Sequence, residues 1–259
     1  MSGPFLELVN VNVMRGERAV LHDINLAIQA GEQVALLGPN GCGKSTLLKT
    51  MTCELYPLAS PKTRVSIFGR ERWDLTELKK KLGVAQNEIP GKPMHKITGR
   101  EAVLTGFFSS STLWPNLIVT PEMQTRADEV MELIDAVSLR DHVFGEMSAG
   151  QQRRILIGRA LVASSDCLLL DEPSNTLDLS AQRGLRELLV SLAERQTTII
   201  EITHHIADII PAMQRVVMMR DGRIVADGAR EKLLTEPVLS DLFQTEVRMT
   251  EHNGLYHAW

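Results

Sequence analysis

Apolar and polar residues alternate along "FLELVNVNVM" and again along "AVLHDINLAI", with "RGER" between them. A period of two predicts two strands folded into an antiparallel hairpin. "EQVALLG" and "DCLLLD" are short, nearly unbroken apolar runs, as expected of strands buried on both faces, and "TRVSIFG" and "TTIIEI" read as further strands. From roughly Thr98 to Leu161 the pattern turns helical, and "PEMQTRADEVMELIDAV" sets Met123, Ala127, Val130 and Ile134 on one stripe. "QRVVMMRDGRIVADG" predicts a β-hairpin, and "REKLLTEPVLSDLF" two short helical runs split by Pro237. Together these elements describe an α/β core interrupted by a helical insert, with no repeats, low-complexity tract or linker.

Composition narrows the class. A chain of 259 residues is one large α/β domain or two small ones, and can bury a substantial core. Net charge is −4 with scattered basic residues, so there is no nucleic-acid footprint. No run approaches the ~18–20 apolar residues of a membrane span. The start "MSGPFLEL" lacks the basic and apolar regions of a signal peptide. Cys42, Cys53 and Cys167 show no metal-ligand spacing and read as reduced thiols of a cytoplasmic protein.

The chemistry concentrates in "LLGPNGCGKSTLL". Gly38, Pro39, Asn40, Gly41, Cys42, Gly43, Lys44, Ser45 and Thr46 join a buried strand to a helix in the pattern G-x-x-x-x-G-K-[ST], a phosphate-binding loop. Glycines let successive backbone N–H groups approach phosphate oxygens, and the helix N-terminus favours the anion. Lys44 is expected on the β- and γ-phosphates and the Ser45 hydroxyl on Mg²⁺. Cys42, beside Lys44 and a helix N-terminus, is expected to have a lowered thiol pKa. Farther on, "CLLLDEP" ends an apolar strand in two carboxylates, delivered to the same sheet edge as the loop. Asp171 is suited to hold Mg²⁺, and Glu172 to polarise an attacking water.

Four further segments join these in order. "LGVAQNEI" precedes "MSAGQQRRILIGRAL", which is followed by "LLLDEPSNTLD" and "EITHH". With these motifs the chain resembles the ABC ATPases over essentially its whole length. The resemblance implies a P-loop NTPase core with an N-terminal antiparallel β subdomain (residues 1–87 and 163–259). It also implies a helical subdomain, residues 88–162, carrying the signature motif. It implies ATP and Mg²⁺ as ligands, ATP hydrolysis, and a homodimer closing head to tail around two nucleotides. Ser148, Gly150, Gln151 and Asp178 would then contact the nucleotide bound on the partner; from its own segment Ser148 reads equally as a helix N-cap, but the other motifs favour the contact, while Asp178 is an equally good N-cap. Gln86 would serve Mg²⁺, the attacking water and the permease contact, and His204, with His205 as a rival, would hydrogen-bond the γ-phosphate.

Two positions depart from the family pattern. Ala149 stands where a signature glycine is usual, at little cost only if its φ is negative. Arg15 stands in the first hairpin turn where an aromatic residue usually stacks on adenine. Its guanidinium plane can stack likewise, or it is a solvated turn residue. Lacking a membrane span, a transport ATPase needs a separate permease, so the expected location is peripheral, on the cytoplasmic face of the membrane. Phe107, Phe108 and Trp114 in "GFFSSSTLW" are candidates for the docking surface. "GLYHAW" and that stretch faintly resemble the molybdenum/photorepair-like group of single-cassette ABC ATPases. The alternative is a cytosolic ABC ATPase that acts in assembly or remodelling without a permease, as in iron–sulfur cluster biogenesis.

Overall fold

The computed structural model describes residues 4–86, 91–164 and 166–259. The expected start of the helical insert at residue 88 lies outside them, as do Asn87 to Ile89 of the segment after Gln86. Strands β1 (Leu6–Arg15) and β2 (Arg18–Ile28) form the expected antiparallel hairpin, with Arg15 opposite Arg18 at its turn. Next come β3 (Gln33–Leu37), α1 (Lys44–Met51), β4 (Arg64–Ile67), α2 (Leu75–Lys81) and the short β5 (Gly83–Ala85). β4 pairs with β1, completing a three-stranded antiparallel sheet in the order β2-β1-β4.

Three helices follow: α3 (Gly99–Leu104), α4 (Pro121–Leu133) and α5 (Ala149–Leu161). Side chains of Thr98, Thr120 and Ser148 accept the first free backbone N–H groups and fix where each helix begins. The stripe on α4 is buried as its period predicts, with Ala127, Val130 and Ile134 fully covered and Met123 packed beside them.

The chain then returns to the sheet with β6 (Cys167–Asp171), α6 (Leu179–Glu194), β7 (Thr198–Thr203), β8 (Arg215–Arg220) and β9 (Arg223–Ala229). It ends in α7 (Arg230–Leu233), α8 (Glu236–Phe243) and the hairpin of β10 (Met249–His252) and β11 (Leu255–Ala258). Pro237 does not split two helices. It sits in the first turn of α8, where its missing N–H has no intrahelical partner to lose.

The main sheet runs β5-β6-β7-β3-β8-β9, parallel except for β9. β3 shows how the core divides. Val34 and Leu36 pack with the antiparallel sheet and α1, while Ala35 and Leu37 face the helices on the other side. Because β3, β5, β6 and β7 are parallel, their C-terminal ends bring the phosphate loop, Gln86, Asp171–Glu172 and His204 to one edge of the sheet.

Candidate functional site

The phosphate loop is built by close backbone approach. Gly43 precedes α1 at φ +108°, and a Cβ there would come within 2.9 Å of Leu21 Cδ2. Only glycine takes that conformation without strain. Lys44 is buried at 5% exposure, and its ammonium donates to the carbonyls of Gly38 (2.7 Å) and Pro39 (3.0 Å). Ser45 is exposed in the first turn of α1, and Thr46 is buried beside it. Asn40, Gly41, Gly43, Lys44, Ser45, Thr46, Glu172 and Arg15 line one cavity.

Glu172 reaches that cavity from the end of β6 in a left-handed backbone conformation, φ +48°, uncommon for a residue with a side chain. Its N–H donates to Ile202 O at 2.7 Å. Glu172 Oε1 lies 3.0 Å from His204 Nδ1 and 3.8 Å from Lys44 Nζ, and Oε2 accepts from the Asn175 side-chain amide. His204, not its neighbour His205, therefore meets the carboxylate. The Asp171 carboxyl is pushed above the usual range, first by burial and then by the Glu172 charge, with Lys44, Lys49 and Arg153 opposing. A cation would relieve that pair. Among the described residues no cluster of three His, Cys, Asp or Glu could hold a metal alone. The donor set fits Mg²⁺, which prefers oxygen, keeps its waters and shares phosphates with few protein ligands.

Ser148, Gly150, Gln151 and Asp178 line a different cavity. Ser148 and Gln151 form a reciprocal cap at the start of α5: Ser148 Oγ accepts from Gln151 N (3.3 Å), and Gln151 Oε1 from Ser148 N (2.8 Å). Ala149 is the first residue of α5 and keeps a negative φ, so alanine fits there without strain. A Cβ on Gly150 would approach Ala181 Cβ to 2.6 Å, so glycine lets α5 and α6 begin side by side. Asp178 caps α6 through Ala181 N at 2.8 Å.

Two expectations need adjustment, those for Gln86 and Cys42. Gln86 does not join the phosphate-loop cavity. It lines a separate groove with Gly106, Ser109 and Arg159, and its carbonyl accepts from Arg153 Nη1 at 3.0 Å. The Cys42 thiol is pushed up, not down, because burial outweighs the nearby Lys44 charge. Of the three aromatic residues in the insert, Phe107 packs against the core and Trp114 stays half exposed. Sequence reasoning also missed Asn175, Arg18, His22 and Asp221, the last three of which line the phosphate-loop cavity. Asn175 follows Glu172 at the i+3 spacing of a tight turn, a signal that the motif itself carried. His22 and Asp221 come from distant elements and leave no local trace.

Comparison with known proteins points to one family. The family model for ABC transporters matches residues 21–175. An uncharacterised ABC transporter ATP-binding protein of Lactococcus lactis is 30% identical over 254 residues, covering 97% of this chain and 96% of its own length. A hemin import ATP-binding protein of Hahella chejuensis is 30% identical over 249 residues, 93% of each chain. A dimeric ATP-binding cassette solved in a post-hydrolysis state with ADP and Pi superposes with a TM-score of 0.68 at 27% identity, over 86% of this chain and 98% of that one. The chain belongs to the ABC transporter family, as an ATP-binding subunit with ATPase activity.

Proposed function

We propose that two copies of this chain close head to tail around two Mg-ATP and that their opening and closing drives a separate membrane permease. The carrying observation is the junction of Glu172 with His204 and Lys44 at the phosphate loop, 3.0 and 3.8 Å apart. Lys44 and the loop N–H groups hold the β- and γ-phosphates. Glu172 orients a water for in-line attack on the γ-phosphorus and draws off its proton as ADP departs. His204 steadies Glu172 through Nδ1. If Nδ1–H donates there, Nε2 donates to a phosphate oxygen only when the ring is protonated. Ser45 and Asp171 would hold Mg²⁺, which neutralises charge building on the phosphate oxygens.

The dimer is supported by the separation of the two residue sets. Ser148, Gly150, Gln151 and Asp178 line a cavity that shares no residue with the phosphate-loop cavity. A second copy turned head to tail brings the α5 N-terminus to the nucleotide, where free N–H groups favour an anion. The permease is supported by a relative named for hemin import; among the described residues no helix is long and apolar enough to cross a membrane. The groove beside Gln86, next to Gly106 and Ser109, is the proposed permease contact. These points favour the transporter over assembly without a permease. The test is Glu172→Gln, which should bind ATP as tightly as wild type and fail to turn it over. Normal turnover would remove the general base from this account.

A further inference from the structure

Asp208 lies outside every motif of the nucleotide site, yet it joins two of them. It ends a short 3₁₀ turn after β7, Ile206–Asp208, and is 5% exposed. Its Oδ2 accepts hydrogen bonds from Ser174 Oγ and from Thr203 Oγ1, each at 2.7 Å. Thr203 Oγ1 in turn accepts from His205 N at 2.9 Å. Ser174, 4% exposed, lies two residues after Glu172, and Thr203, fully buried, lies one residue before His204. One carboxylate oxygen thus clasps the loop that carries Glu172 to the loop that carries His204.

The length and burial of these bonds make the clasp stiff. Hydroxyl donors at 2.7 Å to a carboxylate are charge-assisted and stronger than neutral bonds. In a site closed to water, neither hydroxyl can exchange its partner without leaving a buried polar group unmet. Glu172 also sits in a left-handed conformation at φ +48°, which needs its surroundings to hold it. The Glu172–His204 contact at 3.0 Å spans the same two loops.

We propose that Asp208 is a positioning residue for ATP hydrolysis, holding the Glu172 and His204 loops in register by binding Ser174 and Thr203 together. It rests on the roles given above to Glu172 and His204. Asp208 does not line the phosphate-loop cavity, so its removal acts on turnover and not on binding.

The full chain carries the test, with ATP affinity measured apart from steady-state turnover. Asp208→Ala should leave affinity within about twofold and lower kcat by roughly ten- to a hundredfold, the scale of a small misplacement of reacting groups. Asp208→Asn keeps an oxygen that accepts from both hydroxyls and should recover most of kcat. Ser174→Ala cuts the tie on the Glu172 side alone and should lower kcat with affinity unchanged; it carries the test if Asp208→Ala does not fold. Glu172→Gln is assayed alongside. Lost turnover there, with full kcat in a folded Asp208→Ala or Ser174→Ala, overturns the clasp and spares the general base. Full turnover in Glu172→Gln overturns both. Equal losses of affinity and kcat in the Asp208 variants, with no rescue by asparagine, would mean a generally loosened fold and also overturn it.

Discussion

At the turn between β1 and β2, Arg15 faces Arg18 across the last rung of the hairpin, exposed and on the wall of the phosphate-loop cavity. A guanidinium there can act on a nucleotide as a plane under the base or as a charge near the phosphates. Stacking is worth ~1–3 kcal/mol per base, and an exposed site belongs at the low end. Arg15→Ala should therefore weaken ATP binding roughly five- to tenfold, since ~1.4 kcal/mol is a factor of ten. Arg15→Tyr should restore affinity and Arg15→Lys should not, because an ammonium offers no plane. Calorimetry of the three variants at two salt concentrations decides it; rescue by lysine alone, lost at high salt, contradicts stacking. Cys42 is a second residue-scale test. Burial pushes both thiols up, but Cys42 is only 5% exposed and Cys53 is half-buried, so Cys42 should resist alkylation at neutral pH while Cys53 reacts first. Mass spectrometry during a timed alkylation shows the order, and Cys42 labelling ahead of Cys53 would contradict it.

At the scale of elements, α5 combines a structural cap with a proposed anion site, and the two separate by substitution. Ser148→Ala removes the Oγ that accepts from Gln151 N and should cost about 1 kcal/mol of stability. Ser148→Asp keeps a capping oxygen, so denaturant unfolding should find its stability restored. Its charge would oppose a phosphate, so ATP turnover should stay low. Recovery of turnover with stability would leave Ser148 a cap and nothing more. β7 offers another test. Glu201 is 1% exposed, has one carboxylate oxygen without a hydrogen-bond partner, and its carboxyl is pushed well up by burial and by Asp208. With the folded-state value above the unfolded one, the side chain favours folding in full below about pH 4.5, and that contribution is lost progressively as pH rises from there through the raised folded-state value. Glu201→Leu should raise the melting temperature at neutral pH, by ~2–4 °C for each kcal/mol gained. The gain should shrink as the pH falls toward 4.5; a gain independent of pH would mean that packing, not charge, is responsible. Motif spacing made the phosphate loop, the carboxylate pair and the switch histidine readable, because each lies within one continuous segment. Asp208 was not readable in the same way, and for Gln86 the residue was readable but its surroundings were not. What they touch depends on loops from separate strands, and Arg153 on α5 holds the Gln86 carbonyl across 67 positions of chain.

The whole molecule presents two half-sites. The phosphate-loop cavity holds Lys44, Ser45 and Glu172, and the second cavity holds Ser148, Gly150, Gln151 and Asp178. A dimer that completes each half-site with the other explains why both exist on one chain, and why turnover should rise more steeply than in proportion to protein concentration. On that reading Glu172→Gln should stop the cycle before the dimer opens. The most direct measurement is the mass of this variant in solution by light scattering, with and without Mg-ATP. The account predicts a monomer of 28.8 kDa without nucleotide and a species of twice that mass with it. A variant that binds ATP, fails to hydrolyse it and still remains at 28.8 kDa would contradict the head-to-tail dimer.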